Sequence, residues 1–119
     1  MKITKNIKKI IEQNPLALAT TVANKKPYVI GVASCKVVEG SKILITDNFM
    51  KTTVRNILEN DNVALVVWNK RWEGYQFLGR AKYYNKGKWL NYVKKLKENK
   101  GLPAKGAIVI KVEKIIKSK

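Results

Sequence analysis

One stretch of this sequence, ILITDNFMKTTVRNI, gathers side chains that could hold an anion. Lys42 to Thr46 is apolar enough for a strand, and Asp47-Asn48-Phe49-Met50-Lys51-Thr52-Thr53 is a polar loop. Val54, Ile57 and Leu58 then supply the apolar face of a helix. A helix beginning near Met50 or Lys51 presents unpaired backbone N–H groups and the positive end of its dipole. Lys51 adds a full positive charge in that first turn, where the dipole disfavours it, and Thr52 and Thr53 add hydroxyl donors. A single anion, above all a phosphate, satisfies these groups together. The competing reading is plain capping by Asp47 or Asn48, with Lys51 in solvent.

Other chemistry is ruled out by composition. The 119 residues contain no histidine and one cysteine, Cys35. Imidazole metal ligands, histidine acid–base catalysis and Ser-His-Asp triads are therefore excluded, as are an internal disulfide and a cysteine–histidine zinc site. Cys35 reads as a small buried apolar residue on a strand, suited to a reducing compartment. Lysine and arginine number 25 against 8 acids, a formal net charge of +17. Either an anionic partner or a lysine-rich proteome accounts for that balance.

The elements that must carry the loop follow from periodicity. Ile3, Ile7, Ile10 and Ile11 fall at helical spacing after a candidate cap, Thr4, and Asn14-Pro15 ends the helix. Strands are expected over Leu16–Ala23 and Tyr28–Val38, with a turn at Asn24-Lys25-Lys26-Pro27, and over Lys42–Thr46, the three forming an antiparallel meander. Val63–Trp68, Tyr75–Tyr84 and Ala107–Val112 complete six strands, and a third helix is expected over Trp89–Lys97. At this length and with 45% hydrophobic residues, residues 1–119 are expected to form one domain, mainly β, a small antiparallel barrel with peripheral helices. The opening MKITKNIKKIIEQN lacks the apolar core of a signal peptide, and no apolar run approaches the ~18 residues of a membrane span. A cytoplasmic, non-membrane protein is the expectation.

The order of these elements, with LALATT, PYVIGVASCKVVEGSKILIT, TDNFMKT, KTTVRNILENDNVALVV and GYQFLGRAKYY, resembles the short members of the pyridoxamine-phosphate-oxidase-like FMN-binding split barrels, from about Asn14 to Val112. The resemblance implies a six-stranded split barrel, a homodimer and FMN lying across the strands at the dimer interface. By position it implies that Lys51 and Thr52 hold the FMN phosphate. Thr46, Asp47, Asn48 and Phe49 then run along the isoalloxazine, with backbone donors at Asp47 and Asn48 for its polar edge. Ile30, Gly31 and Val32 touch the flavin or its ribityl chain, and Gln76 and Phe77 reach it from the partner subunit. Gly31, among β-branched neighbours, agrees with close approach by something flat; a bulge or a barrel bend is the alternative.

The chain ends at VEKIIKSK, without the arginine-containing segment that holds the substrate phosphate in the oxidases themselves. The expected function is thus FMN-dependent oxidoreduction or electron transfer, with an unidentified electron donor or small-molecule substrate, rather than vitamin oxidation. No side chain is assigned a catalytic role and no metal is expected. Trp68, Trp72 and Tyr75 are candidates for a pocket over the flavin, or for core and dimer packing. The alternative function is a basic barrel binding RNA or single-stranded nucleic acid, with three tryptophans and five tyrosines as stacking surfaces. Its aromatics do not alternate with lysines on one strand pair, which ranks it second.

Overall fold

The computed structural model describes residues 2–21 and 26–118. The chain forms helix α1 (Lys5–Gln13), strands β1 (Leu16–Thr21), β2 (Pro27–Val32), β3 (Lys36–Val38) and β4 (Lys42–Asp47), and helix α2 (Thr52–Glu59). There follow β5 (Asn62–Trp68), β6 (Gly74–Tyr84), α3 (Lys88–Lys94), a 3-10 turn (Lys97–Asn99) and β7 (Gly106–Ser118). Thr4 caps α1, its Oγ1 accepting the Ile7 N–H at 3.4 Å. Residues 22–25, which include the end of the expected first strand and most of its turn, lie outside the described residues.

Among the described residues seven strands, not six, make one antiparallel sheet in the order β2-β1-β5-β6-β7-β4-β3. The expected second strand is interrupted at Ala33-Ser34-Cys35, which corrects both the strand count and the meander. Its first part pairs with β1, from Leu16↔Val32 to Thr21↔Pro27. Its second part pairs with β4, from Lys36↔Leu44 to Val38↔Lys42, at the opposite margin of the sheet. A three-residue link spans at most about 14 Å, so the sheet has to curl until its margins lie within that reach. The barrel is split there, because the hydrogen-bonded ladder does not close between β2 and β3.

Helix α1 braces this split. The Cys35 thiol donates to the carbonyl of Ile11 at 3.6 Å, and Glu12 Oε2 accepts the N–H of Val37 at 2.8 Å. Burial, reinforced by the charge of Glu12 and opposed by Lys36, pushes the Cys35 thiol up to about 12. It stays a neutral packing group, buried as expected from the sequence but in the break between β2 and β3 rather than on a strand.

Alternate residues of the strands fill the interior. Leu16, Leu18, Ile43, Ile45, Leu65, Phe77 and Ile110 are buried there with Ile11 and Ile57. Strand β4 is apolar on both faces, because Leu44 packs with Val93, Ala107 and Val109 beneath α3. Leu58 corrects an expectation: it is 70% exposed, and α2 buries Thr53, Asn56 and Ile57 instead. Helix α3 ends at Lys94, earlier than expected. Among the described residues no helix is long and apolar enough to cross a membrane.

Candidate functional site

Strand β4 is longer than its partner β3, and the difference makes an open edge. Strand β7 stays paired with β4 through Asp47↔Gly106, whereas β3 stops opposite Leu44. In an antiparallel ladder alternate residues direct both backbone groups to the same neighbour. The Asp47 carbonyl accepts from Lys105 N–H at 2.9 Å, on the β7 side. The N–H and C=O of Thr46 therefore face the space beyond the end of β3.

A cleft of about 480 Å³ occupies that space. Its floor is β2, through Ile30, Gly31 and Val32, and its wall is Thr46, Asn48 and Phe49, with Lys51 and Thr52 at one end. Phe49 is 72% exposed at the rim. Within β2, Gly31 pairs in regular register with Ala17, and its φ is not positive. A bulge thus does not account for the glycine. A Cβ there would meet nothing of this chain within 4 Å and would project into open space.

The end at Lys51 gathers a cation and free backbone donors. Lys51 is the N-cap of α2 and makes no side-chain cap hydrogen bond, and no acid stands in the first turn. The N–H groups of Thr52, Thr53 and Val54 precede the first intrahelical donor, Arg55, which reaches Lys51 C=O at 3.1 Å. No acidic side chain pairs with Lys51 among the described residues. The helix itself is fixed by burial of Ile57 and by the Asn56 amide, which donates to Thr20 Oγ1 of β1 at 3.0 Å, both side chains being buried.

Eight expected residues therefore converge on one cleft: Ile30, Gly31, Val32, Thr46, Asn48, Phe49, Lys51 and Thr52. The side chain of Asn48 is turned away, exchanging hydrogen bonds with Asn99 at 2.8 and 2.9 Å and accepting Ala104 N–H at 2.9 Å, which leaves its backbone for the cleft. Asp47 is fully buried beneath the loop and does not line the cleft. Phe77 is fully buried in the chain's own core. Gln76 lies on the outer face of the sheet, donating to Ser118 Oγ at 3.3 Å, beside a shallow groove with Ala17, Ala19, Val29 and Leu78. The indoles of Trp68 and Trp72 lie parallel, with centroids 6.2 Å apart, and together with Val66 and Ser118 border a separate apolar hollow; Tyr75 borders another cleft, lined mainly by polar residues.

Tyr28, Ala33, Met50 and Thr53 also line the site. Tyr28 was legible from strand period, two residues before Ile30. Ala33 had no such signal, since it lies in the break between β2 and β3.

Comparison with known proteins gives concordant findings. The family model described as pyridoxamine 5'-phosphate oxidase matches residues 3–119. An uncharacterized protein of Methanocaldococcus jannaschii is 36% identical over 119 residues, covering 97% of this chain and 80% of the relative. Among solved structures, HupZ of Group A Streptococcus is similar with a TM-score of 0.88 at 25% identity, covering 97% of this chain and 93% of that one. An FMN-binding protein from Syntrophomonas wolfei subsp. wolfei has the same fold, with a TM-score of 0.77 at 14% identity over 95% of this chain and 84% of that one.

Proposed function

The chain belongs to the pyridoxamine 5'-phosphate oxidase family, and from that premise we propose that it binds FMN in the cleft beside α2 and works as an oxidoreductase or electron-transfer protein. The observation that carries this reading is that an uncapped helix start, with Lys51 unpaired among the described residues, and an open-faced Gly31 line one cleft.

The residues present fit the group. Lys51, the Thr52 hydroxyl and the free N–H groups of the first turn of α2 receive the phosphate, where charge-assisted donors and the helix dipole act together. Gly31 leaves its face of the edge strand β2 open for a flat ring, while Ile30 and Val32, on the core-facing side of the strand, give the cleft an apolar border. The open edge at Thr46, with the backbone of Asn48, offers donors and an acceptor to a polar ring edge. Among the described residues no carboxylate or imidazole lines the cleft, and the chain's part is to bind and orient the flavin. Bound FMN supplies hydride or single-electron transfer through its isoalloxazine.

Phe49 at 72% exposure and the apolar groove around Gln76 leave hydrophobic surface for a second copy of the chain, and a homodimer is part of the proposal. An electron donor or small-molecule substrate then reaches the flavin from the open side of the cleft.

The deciding experiment is the visible absorption spectrum of the purified protein, before and after addition of FMN and removal of the excess. Retention of a flavin spectrum, with FMN and not FAD released on denaturation, is the expected result. A colourless protein that takes up no FMN, and binds RNA with steep salt dependence, would replace this reading with nucleic-acid binding.

A further inference from the structure

The loop between β4 and α2 has an open upper side, facing the cleft, and a lower side on which each polar side chain is engaged. Beneath it lies Asp47, fully buried at the end of β4. One carboxylate oxygen accepts the backbone N–H of Met50 at 2.8 Å, closing the turn Asp47-Asn48-Phe49-Met50. The other accepts the hydroxyl of Tyr83, from β6, at 2.6 Å and lies 3.1 Å from the ammonium of Lys105. Lys105 also donates from Nζ to the carbonyl of Met50 at 2.6 Å and from its backbone N–H to the carbonyl of Asp47 at 2.9 Å. Both backbone polar groups of Met50, the residue before Lys51, are thus held by side chains that do not line the cleft.

The approach of Tyr83 is itself prepared in the sequence. It crosses over Gly106, where a Cβ would collide with the phenol hydroxyl and ring. A glycine directly after Lys105 lets the tyrosine and the lysine reach the same carboxylate. Burial first, then the hydrogen bond and charge of Asp47, push the Tyr83 phenol up to about 12, so it remains a donor across the ordinary pH range.

We propose that Asp47, Tyr83 and Lys105 are positioning residues, which fix the backbone of Met50 and thereby aim Lys51 and the first turn of α2 at the phosphate of the bound flavin. This inference rests on the FMN reading of the cleft. It assigns the phosphate seat a support drawn from three separate parts of the chain: the end of β4, the end of β6 and the entry to β7. Preorganised donors bind more tightly than the same donors on a loop that must order itself on binding.

The test uses FMN and riboflavin, which differ only in the phosphate. Their dissociation constants are measured by flavin fluorescence for the wild-type protein, for Tyr83→Phe and for Lys105→Gln, with Tm as a check on folding. The wild type is expected to prefer FMN. Each variant is expected to lose about tenfold in FMN affinity, the scale of one charge-assisted hydrogen bond, and to keep its riboflavin affinity. Equal losses for both flavins, or an unchanged FMN-to-riboflavin ratio, would overturn the positioning role while leaving the cofactor reading intact. A wild type that binds FMN no better than riboflavin would overturn the phosphate seat itself, and the support with it. Gly106→Ala, which displaces Tyr83 without removing its hydroxyl, is a second variant and should shift the ratio in the same direction.

Discussion

Two helices of this molecule begin in nearly the same way and end up with different partners. Helices α2 and α3 both lack a side-chain cap and an acid in the first turn, and each carries a lysine at its start. At α3 that lysine, Lys88, is provided for by the chain. Its ammonium lies 3.2 Å from Glu39 and 4.7 Å from the centre of the Trp89 ring. Glu39 stands beside Gly40 in the turn between β3 and β4, where both have positive φ, and it also binds Lys42 at 2.9 Å. At α2 none of this happens. The carboxylate nearest in sequence, Asp47, is occupied by Met50, Tyr83 and Lys105. An unpartnered lysine over orphan N–H groups is unfavourable in isolation and favourable beside an anion. The difference teaches that charge near a helix start indicates a ligand only when the protein has withheld its own counter-ion.

Reversing the charge at each helix should separate the two most strongly. Lys51→Glu is expected to lower FMN affinity at least about 100-fold, the cost of losing one charge-assisted contact and adding a repulsive one. Lys88→Glu should leave FMN affinity unchanged, and a comparable loss in both, read by flavin fluorescence, would reduce the effect to net charge. Gly31→Val tests the other part of the cleft: FMN and riboflavin should both weaken, by about tenfold or more, with Tm unaltered because the side chain meets only open space in the chain itself. A drop in Tm would show that this glycine serves the fold.

Thr52→Asp sharpens the contrast by giving α2 the acid it lacks. The apo-protein should gain about 0.5 kcal/mol from the helix dipole and rise slightly in Tm, while FMN affinity falls. A rise in both would remove the phosphate from this helix. The smallest effect is expected from inorganic phosphate in thermal melts. It should raise the Tm of the wild type and of Lys88→Ala by mass action, and fail to do so for Lys51→Ala.

Much of this was legible in the residues. The apolar period of β1, β5 and β6, the cap at Thr4 and the stop at Pro15 predict their elements within a few positions. The segment from Lys42 to Leu58 predicts a strand, a polar loop and a helix with unpaired N–H groups at its start. The split of PYVIGVASCKVV into β2 and β3 was not legible, because Ala33-Ser34-Cys35 has no proline or glycine to announce a break. Its cause is distant: β2 finds its partner in β1, β3 finds its partner in β4, and Cys35 is drawn under α1 by the carbonyl of Ile11. The side chain of Phe77 went to the interior for a similar reason, since the face of a strand that is buried depends on the layer against which it packs.

Residue types and their short-range order set the available chemistry: no histidine, one cysteine, a lysine and two threonines at a helix start, and a glycine in an otherwise branched strand. Local periodicity suffices to read these properties. Only the tertiary structure decided that Gly31 and Lys51 share a cleft, that Asp47 faces away from it, and that Tyr83 and Lys105 support it from below. Those relations depend on strand register and on the curl of the sheet. Both are set by which hydrophobic faces are buried together across long stretches of chain, and no window along the sequence contains both partners at once.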